Sequence, residues 1–155
     1  MDSIAKAGDK ISILAYSTGM KTLILVFLGG GAGSVLRYVI GTQANRFFGA
    51  QFPNALLPNA QWPWGTFVVN LLGCFIMGLC FRLLPLPEAG PADARLLLMT
   101  GVLGGFTTFS AFALDSAQLW MRQDLQGLML YLAGSFVCTL SGVALGLAIG
   151  KALSP

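Results

Sequence analysis

The stretch Gly101-Val-Leu-Gly-Gly-Phe-Thr-Thr-Phe-Ser-Ala-Phe112 gathers three glycines, two threonines, a serine and three phenylalanines inside an uncharged run from Leu96 to Leu114. A run of that length can cross a bilayer. A plain anchor would carry leucine where these residues stand. Hydroxyls and helix-loosening glycines at its middle suit a segment that handles something polar at depth. Phe109 and Phe112 lie three apart and share one helical face. An aromatic ring has an electropositive edge, which an anion can meet as it sheds water. Thr107, Thr108 and Ser110 surround the Gly104-Gly105 pair. Adjacent glycines can leave carbonyls free of helical bonds, either as cation ligands or as a kink satisfied by nearby hydroxyls.

Polar groups recur in the other apolar runs. Asn70 must find partners in hydrocarbon, either as glue between helices or as a donor to an anion. Asn70, Cys74, Gly78 and Arg82 follow at four-residue steps along one face. Tyr131, Ser135 and Thr139 repeat the same step, forming a ladder of hydroxyls or bonding back to their own helix. Arg37 either snorkels to an interface or concentrates anions at a pore mouth. Asp115 reads as a cap at the end of its run.

These residues need helices of membrane length to position them. Four runs qualify: Thr22 to Ile40, Trp64 to Leu84, Leu96 to Leu114 or a turn further, and Leu128 to Gly150. Residues 42–63 form a connection with Asn45, Arg46 and three prolines, flanked by Trp62 and Trp64 as an aromatic belt. Residues 85–94 and 121–126 make shorter turns. Residues 1–21 read as a tail without a cleavable leader, 22–151 as one four-helix transmembrane domain and 152–155 as a C-terminal tail. The 155-residue chain is 55% hydrophobic and 10% charged, with no histidine and a net charge of +3. A soluble domain carries roughly 25% charged residues, so the membrane class follows. An inner or plasma membrane is expected. No basic cluster suits nucleic acid. Three cysteines inside apolar runs suit neither a disulfide framework nor a zinc site.

Flanking charges lean weakly toward a cytoplasmic N-terminus, and so small a bias permits insertion both ways. The Gly134, Cys138, Gly142, Gly146, Gly150 stripe and the Gly29–Ser34 cluster allow close helix packing, within one subunit or against a second.

Together, Gly33-Ser-Val-Leu-Arg-Tyr38, Trp64-Gly-Thr-Phe-Val-Val-Asn70, Gly104-Gly-Phe-Thr-Thr-Phe-Ser-Ala-Phe112 and the Tyr131, Ser135, Thr139 ladder resemble the Fluc/CrcB family of small fluoride channels. The resemblance covers about residues 22 to 150. It implies an all-α membrane protein with four transmembrane helices per subunit and a third helix broken mid-membrane. It also implies an antiparallel, dual-topology homodimer with two fluoride pathways. By similarity, the rings of Phe109 and Phe112 contact fluoride, Asn70 donates to it and Ser110 is the neighbouring hydroxyl. Tyr131, Ser135 and Thr139 form a polar track, and Arg37 stands at the aqueous entrance. The carbonyls of Gly104 and Thr107 from both subunits would surround a structural sodium ion.

Ala111, Asp115 and Val143 depart from the family's usual Thr, Glu and hydroxyl residues. No enzymatic constellation is present: there is no histidine base, and no carboxylate pair lies inside a span. A small dimeric exporter of organic cations is the alternative. Such a carrier needs a membrane carboxylate, and none falls in the first three quarters of any run. A structural membrane protein would not need donors clustered on three spans.

Overall fold

The computed structural model describes the backbone of residues 2–51, 62–84 and 93–154, and side chains of 19–50, 62–84 and 93–154. The described residues are helical, with no strand among them. The helices are α1 (Asp2–Gln51), α2 (Trp64–Leu83), α3 (Asp93–Arg95), α4 (Gly104–Phe106), α5 (Phe109–Met121) and α6 (Leu125–Leu153). A wide π-helical segment, Leu96–Leu103, joins α3 to α4. Four stretches are long and apolar enough to cross a membrane: Gly19–Ala50, Trp64–Leu83, Asp93–Met121 and Leu125–Leu153.

Both boundaries of the first helix differ from the sequence expectation. The first helix runs through Asn45 and Arg46 to Gln51 instead of stopping near residue 40. Asn45 has work there: its Oδ1 accepts from the N–H of Gly65 at 2.6 Å. The residue before α2 is Pro63, which offers no side-chain cap, so Asn45 satisfies an orphan donor of the next helix. Residues 2–21 are helical and continuous with the first span. The prolines at 53 and 58, and most of the 85–94 turn, lie outside the described residues.

Asp115 is not a terminal cap. It lies within α5, which continues to Met121, and its Oδ2 accepts from the Tyr131 hydroxyl at 3.2 Å. A partner on α6 lets the helix carry a carboxylate through its middle. The turn that follows has Gln123 at φ 61°, and Asp124 caps α6 by accepting from the Gly127 N–H at 2.8 Å.

The glycine pair is also not where the helix lets go. Gly104 and Gly105 are helical, and the chain is extended at Thr107 (ψ 157°) and Thr108 (φ −153°, ψ 119°). Gly105 instead permits close approach, because a Cβ there would strike the carbonyl of Gly30. The stripe on α6 works in the same way within the chain. A Cβ on Gly150 would come within 2.7 Å of the Cβ of Arg82, and one on Gly146 would overlap the Phe75 carbonyl. α2 and α6 thus pack backbone to backbone, and α1 packs in like manner on the π segment. At one end, Lys21 pairs with Asp93, and Arg95 donates to the Phe81 carbonyl at 2.7 Å.

At Gly29 an added methyl would sit 2.6 Å from the Leu97 carbonyl, whereas at Gly134 the nearest atom would be 3.9 Å away. Gly29→Ala is expected to lower stability by about 1–3 kcal/mol, the usual cost of overpacking. Gly134→Ala should be neutral or slightly stabilising, since alanine favours helix. Denaturant unfolding of the two purified variants in detergent measures the difference.

Candidate functional site

The site is built where the third span stops being helical. The side chain of Asn70 on α2 faces the peptide group of Thr108 and bonds both halves of it. Its Nδ2 donates to the Thr108 carbonyl at 3.0 Å, and its Oδ1 accepts from the Thr108 N–H at 2.8 Å. A carboxamide is the side chain whose donor and acceptor can mimic a strand partner for one extended residue. The Thr108 hydroxyl then restarts the helix by accepting from the Ala111 N–H at 3.1 Å. Thr107 closes the preceding turn, with its Oγ1 donating to the Leu103 carbonyl at 3.0 Å.

These bonds release carbonyls from the helical ladder. The fourth residue after Gly104 is Thr108, whose N–H goes to Asn70. The fourth after Thr107 is Ala111, whose N–H goes to the Thr108 hydroxyl. Gly104 is exposed on the chain. Carbonyl oxygens of this kind suit a hard cation such as sodium. Arg37 Nη1 approaches the Thr107 carbonyl at 3.5 Å, and that oxygen has a second lone pair. The donor chemistry of these two oxygens therefore fits such an ion.

Asn70, Phe109, Phe112, Ser135 and Thr139 line one cavity of about 280 Å³, together with Cys74, Thr107, Thr108 and Phe136. The structure thus brings five of the eight expected pathway residues to a single space. The two phenylalanine centroids are 5.6 Å apart. Phe109 is 81% exposed on the chain. The Oγ of Ser135 is buried in this wall and has no hydrogen-bond partner, and the residue is only 7% exposed. Thr139 donates its hydroxyl proton back to the Ser135 carbonyl at 2.6 Å.

The remaining three residues lie to either side. Tyr131 is fully buried behind Phe112, with centroids 5.1 Å apart, and its hydroxyl goes to Asp115. Trp62 closes on the far side of the Tyr131 ring, edge to face at 5.4 Å. Arg37 and Ser110 line a second cavity of about 610 Å³ with Ser34, Thr42, Asn45 and Thr66. Thr108 lines both cavities, so the extended residue forms the wall between them. Arg37 is half-buried inside α1 instead of standing at its end.

Sequence reasoning did not single out Asn45, Asp124 or the capping role of Thr108. Thr108 and Asp124 each stand three residues before the N–H they cap, a spacing that marks helix starts. Asn45 acts across 20 residues of chain, and no local pattern announces it.

Residues 24–147 match the family described as CrcB-like protein, Camphor Resistance (CrcB). The fluoride-specific ion channel FluC of Allorhizobium ampelinum is 46% identical over 132 residues, 85% of this chain and 98% of the relative. The protein of the same name from Rhizobium johnstonii is 43% identical over 131 residues, 84% of this chain and 97% of the relative. That of Novosphingobium aromaticivorans is 42% identical over 135 residues, 87% of this chain and all of the relative. These relatives are named as ion channels, which is not an enzymatic function. A family match over most of the chain and relatives above 40% identity along nearly their whole length lead to one conclusion: this membrane protein belongs to the CrcB-like family.

Proposed function

We propose that this chain forms a fluoride-selective channel that lowers cytoplasmic fluoride by passive export across the inner membrane. The observation that carries the reading is the 280 Å³ cavity. There, a carboxamide, an unpaired buried hydroxyl and two phenylalanine rings converge without a cation among them. Fluoride is small and strongly hydrated. A pathway must replace its water with donors that do not hold it too tightly to leave. Asn70 Nδ2, Ser135 Oγ and the ring edges of Phe109 and Phe112 are such donors. Thr139 extends the track along α6 once its hydroxyl turns from the Ser135 carbonyl to the ion, and Tyr131 backs the Phe112 ring from outside the cavity. Asp115 occupies the Tyr131 hydroxyl, which keeps the carboxylate engaged away from the passing anion.

The larger cavity is the aqueous entrance. Arg37 gives it a positive charge, which raises the local concentration of anions. Ser110 hands the ion past Thr108. The relatives' name supports the ion, and the names give no support to a cation exporter.

Two copies inserted in opposite directions complete the pathways. Support comes from the open side of the site: Phe109 and Gly104 are both exposed on one chain. A second copy against this face would bury the ring and bring four released carbonyls together. A sodium ion held by the Gly104 and Thr107 carbonyls would then fix the two interrupted helices at mid-membrane depth. No nucleotide or proton coupling is needed. A potential of about 100 mV, negative inside, is worth roughly 2.3 kcal/mol per charge. That corresponds to about fifty-fold exclusion of a monovalent anion at equilibrium.

Liposomes loaded with fluoride or chloride and carrying the purified protein test this directly. Fluoride should leave while chloride stays, and release of both or of neither contradicts the reading. Phe109→Ile or Phe112→Ile should slow fluoride efflux about ten-fold or more, because losing a solvating contact of ~1.4 kcal/mol costs that factor. Their elution as an assembled species should not change. Tyr131→Phe leaves the Asp115 carboxylate without its partner behind the Phe112 ring, so efflux should fall more in this variant than in the Tyr131→Phe/Asp115→Asn pair. The same efflux assay reads the comparison.

A further inference from the structure

Cys74 stands one helical turn beyond Asn70 on α2 and lines the same cavity as Phe109, Phe112, Ser135 and Thr139. Its thiol is free, as are those of Cys80 and Cys138, and neither of these lines that cavity. Ser135 on α6 gives an independent sign that the space takes a polar occupant. Ser135 is 7% exposed, and its buried Oγ has no partner within the chain. A polar group left unpaired in a buried wall awaits a ligand or water. Ser135 and Cys74 line the same space, so a small species that enters it meets both residues.

We propose that Cys74 is a thiol-modification site inside the anion cavity, open to small thiol-reactive electrophiles, and that an adduct there stops conduction. The inference rests on the reading of this cavity as the fluoride pathway. The sulfur lies among the groups that would solvate the ion. Any group added to it competes for that space and replaces a donor-lined wall with an apolar one. The chemistry balances with methyl methanethiosulfonate as the electrophile. The thiol loses its proton to water, and the sulfur attacks the methylthio sulfur of the reagent. A new S–S bond forms, the reagent's S–S bond breaks, and methanesulfinate leaves with the electron pair.

The test uses the full chain in fluoride-loaded liposomes, treated with methyl methanethiosulfonate. Fluoride efflux is followed by electrode, and adducts are located by mass spectrometry. Efflux should drop to the level of protein-free liposomes as the methylthio group appears on Cys74. Fluoride in the bath should slow the labelling, whereas chloride should not. The Cys80→Ser/Cys138→Ser double variant should be blocked like the parent. Cys74→Ser should keep its own untreated rate after treatment, whatever that rate is. Full labelling of Cys74 with undiminished efflux overturns the proposal. So does an undiminished block in Cys74→Ser, or labelling that fluoride does not slow. If the untreated protein passes no fluoride, the channel reading fails by itself, and that result is separate from the labelling outcome.

Discussion

One side chain holds the interrupted span in place. The carboxamide of Asn70 donates to the carbonyl and accepts from the N–H of the same residue, Thr108. An extended residue inside a membrane segment otherwise leaves two backbone groups without partners, each costing about 1–3 kcal/mol or more. Asn70 removes that cost from a neighbouring helix. In doing so it fixes where α4 ends and α5 begins. Phe109 is the first residue of α5 and Phe112 lies one turn later, so the position of both rings descends from this pair of bonds.

The rest of the chain keeps Asn70 and Thr108 at hydrogen-bonding distance. α2 is held against α6 by the glycines of α6, which bring backbones together where side chains would force them apart. The span containing Thr108 is held against α1 in the same way, through Gly29 and Gly105. Asn45 anchors the start of α2 to α1, and Asp124 and Gln123 set the turn that brings α6 back beside α5. Tyr131 then closes the circle. Buried between Trp62 and Phe112 and bonded to Asp115, it fixes the ring of Phe112 from the side away from the cavity.

The spans were legible because hydropathy and length are properties of contiguous residues. The ladder of Ser135 and Thr139 was legible for a similar reason, since a four-residue step places residues on one face. What escaped was whatever acts between distant segments. Gly104 and Gly105 look like a flexible point in a string of residues. Only the position of Gly30 shows that Gly105 serves close approach, while the threonines after the pair interrupt the helix. Asp115 looks like the end of an apolar run. Tyr131 on another helix lets the helix continue past it. The end of α1 was misplaced because Asn45 and Arg46 carry loop-like polarity, and the Gly65 N–H that Asn45 serves lies beyond the connection. The clamp at Thr108 was half visible: Asn70 plainly needed partners, but its choice of a backbone peptide is a three-dimensional fact.

Amide hydrogen exchange at Thr108 in bilayers tests the Asn70 clamp most directly. The Thr108 N–H should exchange slowly in the parent protein, like those of the flanking helices, and rapidly in Asn70→Leu at unchanged helix content. A Thr108 amide that exchanges freely in the parent, or equally slowly in both proteins, would contradict the account.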